Sequence, residues 1–334
     1  TFNYEGSIIA LTVDGNSATS FPASGKYNVT VNCNNAKGRW NPKTWKLEIT
    51  KITGTVTCDV SFNSNVSNLT TVVNNKATRN ENGKRYQGKN PDNYIWFNDG
   101  LWRIIGNIPV CLTSGCANAE NRVKIIRNDS IGAIVFNQTD YSESSPLTWM
   151  GSNIQNLLNK CYLGKTSSCD SHCYTRGTSV KGTCDYSSDG IDTADYYGKM
   201  VEDVYFNVGA GDSTYKTAAN YYTQEIATHA TSTSKIGLMY ASDWGYAIEG
   251  FKGVLRSKGH PESSSDKNWL FSNGFEWTMS AYSSSRPLDV FSDGYLDYPS
   301  APYGFSIRPV LYLKSNVYVV SGTGSKVDPY RIGM

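Results

Sequence analysis

The residues able to do chemistry are few and scattered. Only three histidines occur, His172, His229 and His260, each in a polar stretch, with neither an i, i+4 pair nor a His-x-Glu arrangement. A histidine-based metal site or a nucleophile, histidine and carboxylate triad needs such partners brought together, so neither is expected. Carboxylate pairs do occur, Asp189 with Asp192 and Asp289 with Asp293. Two carboxyl groups can divide the acid and base work of glycoside hydrolysis. A chain with 29 Asp plus Glu presents such pairs by chance, and solvated loops are the expectation. Asp189, Asp192 and Asp195 lack the glycine and closing glutamate of an EF-hand loop. A structural calcium held by separate loops remains compatible with the sequence, and no other cofactor is expected. Gly209-Ala-Gly211-Asp212 and Gly322-Thr-Gly324-Ser325 lack the Lys-Ser/Thr of a phosphate loop and read as turns.

The eight cysteines fall into close pairs: Cys33 and Cys58, Cys111 and Cys116, Cys161 and Cys169, Cys173 and Cys184. Nearest-neighbour pairing predicts four disulfides and an oxidising compartment. The rival is zinc, because Cys169 and Cys173 flank His172 at ligand-like spacing. No second compact pair with zinc-ribbon spacing follows, which favours disulfides.

The elements that must position any site divide into two regions. Before residue 65 the chain alternates: Tyr27, Val29, Val31 and Cys33 share one face of a strand, as do Val56, Cys58, Val60 and Phe62. Ile9, Leu11 and Val13, then Trp45, Leu47 and Ile49, supply two more strands. Residues 1–65 are therefore expected to form a small β domain, with a bridge between Cys33 and Cys58 stapling it across sheets. A polar stretch with one short helix over 69–76 follows. The remainder, 66–334, mixes strands at 94–97, 102–105 and 123–126 with helices expected from Ser145 through Leu158, over 194–204 and over 216–228. Pro146 suits the first turn of the first of these. Long Gly/Ser-rich loops at 161–192 and 251–268 need pinning or a function.

Thirty-one Lys plus Arg against 29 Asp plus Glu leave a formal charge of +2, which argues against a nucleic-acid groove or a charged membrane patch. No apolar run is long enough to span a membrane. Thr1 begins in strand-like sequence with no charged or apolar leader pattern, and a signal peptide is expected either to have been removed or not to be included in this sequence. One segment reads as a contact surface. Residues 281–303 contain five Ser, four Tyr, three Asp and three Pro. Tyr gives large contact area at low entropy cost, and Ser and Gly adapt their hydrogen bonds, as in antibody paratopes.

The order of motifs resembles a family of surface-exposed proteins from gut Firmicutes and their relatives. It is carried by Arg85-Tyr86-x-Gly88, Asn93-Tyr94-Ile95-x-Phe97-Asn98, Leu101-Trp102-Arg103-Ile104-Ile105-Gly106 and Lys124-Ile125-Ile126-Arg127. It continues through Leu157-Leu158-Asn159, the run from Lys235 to Tyr246, Glu276-Trp277-Thr278-Met279 and the run from Ile307 to Leu313. The resemblance implies an α+β architecture: a C-type lectin fold of the formylglycine-generating-enzyme type over 66–334, preceded by a small all-β, disulfide-stapled, Ig-like domain. Some members of that fold are oxidising enzymes that need a late cysteine pair, whereas no cysteine follows Cys184, so a non-enzymatic protein is expected.

In proteins of this kind the stretch before the last core strands faces the ligand. Diversity-generating retroelements place their variable residues there. Mutagenesis of the adenines in AAC or AAT codons never produces Lys, Glu, Gln, Met or Trp, and residues 281–303 contain none of the five. The resemblance thus implies an extracellular ligand-binding protein, on a bacterial surface or a phage particle, with a display segment at about 281–305. Its ligand-binding residues would be Tyr282, Ser284, Ser285, Arg286, Asp289, Phe291, Asp293, Tyr295, Asp297, Tyr298 and Tyr303. The partner would be a protein or glycan on another cell or surface, not nucleic acid. A fixed-specificity carbohydrate-binding adhesin and a surface glycan hydrolase are the alternatives.

Overall fold

The computed structural model describes residues 12–13, 16–17, 27–41, 46–64, 66–116, 119–227, 233–255 and 267–334. The expected strand residues Ile9, Leu11 and Trp45, and most of the 251–268 loop, lie outside these. The architecture is mixed α+β, rich in strands and poor in helices. It divides into two compact units, Thr1–Ser67 and Asn68–Met334.

In the first unit, Tyr27–Cys33 pairs antiparallel with Cys58–Ser64, and Lys37–Asn41 with Lys46–Thr50. The Cys33–Cys58 disulfide joins residues directly opposite one another in the first ladder. It therefore ties two neighbouring strands and does not cross between sheets as the alternation suggested. The two half-cystines share the half-buried phase of their strands, while Asn32 and Asp59 beside them are exposed.

Among its described residues the second unit carries two main sheets and a separate two-stranded one, Tyr174–Arg176 with Val180–Lys181. The larger runs in the order 236–237, 310–313, 119–127, 100–111, 94–97, 330–333 and 318–321. Gly100–Cys111 is its central strand and is buried on both faces for most of its length. A tight hairpin leads into it: Asn98 and Asp99 both adopt positive φ, 49° and 54°, the backbone that a twisted two-residue turn requires and that Asn and Asp tolerate. The smaller sheet runs in the order 133–135, 304–306, 276–283, 286–290 and 296–297. Trp102, Trp149, Trp244 and Trp277 fill the core.

Helices depart from the sequence pattern where local partners compete. Leu69–Lys76 forms as expected, with the Asn68 side chain accepting from the Thr70 N–H at 2.8 Å. The helix expected from Ser145 begins only at Asn153. Ser142 and Ser145 exchange backbone hydrogen bonds in a turn, and Leu147 donates to Ser284 O at 2.7 Å. Ser152 then caps the helix by accepting from the Gln155 N–H at 3.2 Å, and a π-helical segment, Leu157–Tyr162, continues it. Residues 194–204 yield only a 3₁₀ turn, Gly198–Met200, because Val201 and Val204 bridge to Leu313 and Ser234. Ala218–Ala227 falls within the third expected helix.

Disulfides close Cys111–Cys116, Cys161–Cys169 and Cys173–Cys184. Cys169 and Cys173 thus belong to separate bridges and have no thiolates to offer beside His172. Four disulfides indicate an oxidising, extracellular environment. No helix among the described residues is long and apolar enough to cross a membrane.

Candidate functional site

The segment singled out by composition is a hairpin with a buried root and an open tip. Its strands are Glu276–Ser283 and Arg286–Val290, joined at Ser284 and Ser285. At the root, Glu276, Trp277, Thr278, Met279 and Ser280 are all buried. Glu276 receives two hydrogen bonds from the Arg308 guanidinium, at 2.7 and 2.9 Å. The Trp277 indole donates to Ile134 O at 2.9 Å, and the Thr278 hydroxyl to Leu288 O at 2.8 Å. With the Glu276, Trp277 and Thr278 side chains engaged, the register of the hairpin is fixed.

Toward the tip the side chains emerge. Tyr282 stacks on Tyr298, ring centroids 4.0 Å apart, and Tyr215 leans on both at 5.2 and 6.2 Å. A second aromatic group lies at the opposite, open end of the hairpin, where Phe275 and Phe291 flank the paired Glu276 and Val290: Phe291 stacks on Tyr295 at 4.6 Å, meets Phe275 edge-on at 4.4 Å, and Phe275 stacks on Phe305 at 5.2 Å. Phe275, Tyr298 and Tyr303 are 39%, 42% and 46% exposed, unusual for rings this large. Ser284 and Asp293 are exposed, while Ser285, Arg286, Phe291, Tyr295 and Asp297 are half-buried. Arg286 is held by the Ser300 hydroxyl and by Asp140 at 3.6 Å.

Asp289 does not belong to the displayed set. It is 1% exposed, and neither carboxylate oxygen has a hydrogen-bond partner. It sits in a strand buried along 287–290, between Glu276–Ser283 and the edge strand Leu296–Asp297, opposite Trp277 on one neighbour and Asp297 on the other. Burial, with the charge of Asp297 adding to it, pushes its pKa up to about 8.

Loops pinned from elsewhere brace the face. The Asp140 carboxylate accepts from the Ala301 N–H at 3.1 Å. The hairpin Tyr174–Arg176 and Val180–Lys181, enclosed by Cys173–Cys184, lies against the segment: Gly177 N–H donates to Pro302 O at 2.9 Å and Arg176 bridges to Tyr303. Gly211 passes so close to the Tyr282–Ser283 backbone that a Cβ there would collide with it. Disulfide loops and display segment, far apart in sequence, therefore meet at one place.

A second cluster is wholly internal. Asp243 takes Arg85 at 2.8 Å and Lys124 at 2.5 Å, with all three side chains 1% exposed. Tyr240 and Tyr312 cap the Lys124 ammonium at 4.3 and 5.3 Å. Burial lowers the Lys124 pKa and works against ionisation of Asp243, but Lys124 and Arg85 together hold the Asp243 carboxyl below the usual range. Glu225 nearby receives the hydroxyls of Ser242 and Ser280, and burial lifts its pKa to about 7. The cavity these residues line is small, about 30 Å³. The cluster ties the helices Ala218–Ala227 and Ala241–Ala247 to the sheets.

The other carboxylates of interest are structural. Asp189 pairs with Arg127 at 2.6 Å, Asp192 caps the Ala194 N–H at 2.8 Å, and Asp195 lies 3.6 Å from Lys165. Arg308 has a buried carboxylate partner in Glu276. Arg103 instead bonds Asn93 at 2.8 Å and stacks on Tyr94 and Trp269. Sequence reasoning missed Phe275, Tyr215 and Asp140, which lie outside the 281–305 window. An aromatic immediately before the Glu276 strand was the one available signal for Phe275.

The chain matches no protein-family profile, no curated protein and no solved structure.

Proposed function

We propose that this is an extracellular, non-enzymatic ligand-binding protein whose binding face is built by residues 281–305 on a C-type-lectin-type domain, preceded in the chain by an Ig-like β module. The observation that carries the reading is a hairpin whose buried root is held by Glu276, Trp277 and Thr278 while aromatic rings stay partly exposed at both ends, Tyr298 against Tyr282 near the tip and Phe275 beside the open end. Tyr298 and Tyr303 supply anchors of the type that dominates binding energy in interfaces. Ser284, Ser285, Arg286, Asp293 and Asp297 set polar contacts around them. Solvent-facing substitutions usually change stability little, so such a tip is a surface on which residues can be exchanged without loss of the fold.

This exchangeability, with the motif order and the absence of Lys, Glu, Gln, Met and Trp from 281–303, supports diversification by a retroelement. The test is the neighbouring DNA. A near-copy of the 3' coding end that differs at adenines, beside a reverse-transcriptase gene, is the expected finding. Its absence, with 281–303 invariant among sibling strains, would replace diversification by a fixed-specificity adhesin.

A further inference from the structure

The display face carries more negative charge than it neutralises. Asp293 and Asp297 have no ion-pair partner among the described residues, and Asp289 stands behind them with both oxygens unpartnered. Asp289 and Asp297 are direct cross-strand neighbours, where like charges oppose each other. The cations that reach the face are already engaged: Arg286 with Asp140 at 3.6 Å, Lys216 with Asp212 at 2.5 Å, and Arg176 over the Tyr303 ring at 5.8 Å. Beside the acids lie Phe291 and Tyr295, stacked, and the exposed Phe275. Ring faces and carboxylates attract the same guest, a cation.

Resting on the reading of 281–305 as a binding face, we infer that its partner is a protein or peptide presenting basic side chains, received between Asp293, Asp297 and the Phe275, Phe291 and Tyr295 rings. Arginine fits best, because its planar guanidinium can stack on a ring while its N–H fork meets carboxylates. The positive charge of the guest would favour the ionised form of the buried Asp289, which burial and the charge of Asp297 disfavour. Asp297 is the one charged group that acts on Asp289, and Trp277 is its neighbour on the opposite strand. Asp289, neutral at pH 7 in the free protein, would then ionise on binding and release its proton.

The test is calorimetric titration of the whole protein with an oligoarginine peptide, an oligoglutamate peptide and a neutral oligosaccharide, at pH 7 in two buffers of different ionisation enthalpy. The expected result is binding of oligoarginine that weakens with salt and falls about tenfold or more in D293N/D297N. Proton release should accompany it in the wild type and vanish in D289N. Oligoarginine that fails to bind, or binds D293N/D297N equally well, overturns the inference. If oligoglutamate or the oligosaccharide binds instead, and that binding is lost in Y298A/Y303A, the charge preference is wrong while the binding face stands. If no probe binds, both fall.

Discussion

Tyr282 and Tyr298 lie face to face, ring centroids 4.0 Å apart and planes 7° from parallel, and this stack pins the 297–303 stretch to the end of the hairpin strand. Aromatic pairs contribute about 0.5–1.5 kcal/mol beyond their burial. Tyr298→Ala is therefore expected to lower the melting temperature by only a few degrees, at roughly 2–4 °C per kcal/mol for a unit of this size. A double-mutant cycle with Tyr282→Ala checks it. A coupling of about 1 kcal/mol supports the stack, and strictly additive losses contradict it.

Burial of Asp289 makes stability depend on pH. Its folded pKa, about 8, stands above its ordinary value of 3.8, so the folded state holds the proton more tightly. The stability linked to that proton is fully present below the unfolded pKa and is lost as pH rises through the folded one. Asp289→Asn should remove this loss, raising the melting temperature more at pH 8 than at pH 5. Glu225, lifted to about 7, acts in the same direction and remains in the variant, so the difference between variant and wild type isolates Asp289. Equal shifts at both pH values would mean that Asp289 is ionised throughout.

At the root of the hairpin the Glu276–Arg308 pair is buried and bidentate. Removing one member strands the other charge, and Glu276→Gln or Arg308→Met should each cost about 3–5 kcal/mol in chemical denaturation. Replacing both, as E276L/R308M, should cost less than the worse single change, because no unpaired charge is left. Independent, summed losses would show that the two residues do not act as a pair.

The Cys173–Cys184 bridge closes an 11-residue separation around the hairpin that touches Pro302 and Tyr303. Loop-closure entropy predicts a loss of about 2–3 kcal/mol for Cys173→Ala/Cys184→Ala. Hydrogen exchange should quicken at 174–181 and at 301–304 together, since the two stretches brace one another. Exchange quickened at 174–181 alone would refute the bracing.

Period-two alternation was enough to find the strand 27–33, because a half-buried strand writes its faces into residue type, while 94–97 and 123–126 were legible as short, mostly apolar runs. Close spacing was enough for the four cysteine pairs. Composition pointed to 281–305, yet it could not separate Asp289 from Asp293 and Asp297: all three are aspartates in one window, and only the place of the first in an inner strand, with Asp297 on the edge strand, buries it. The helix start at Asn153 was hidden because two candidate serines, Ser145 and Ser152, compete as caps and a tertiary bond from Leu147 to Ser284 decides between them. The cluster of Arg85, Lys124, Asp243 and Glu225 is drawn from four separate segments, so no local pattern announces it. Phe275 and Tyr215 join the face through ring contacts that composition of a single window does not register.

The most direct measurement of the central claim is binding of the whole protein to peptide and glycan arrays, compared with its Tyr298→Ala/Tyr303→Ala variant at matched concentration and with melting temperatures recorded for both. Large exposed aromatics are the residues whose truncation most often abolishes binding while the fold persists. The expected result is specific array binding by the wild type, lost in a variant that melts within a few degrees of it. Binding that survives in the variant, or a variant that no longer folds, would contradict a ligand face at residues 281–305.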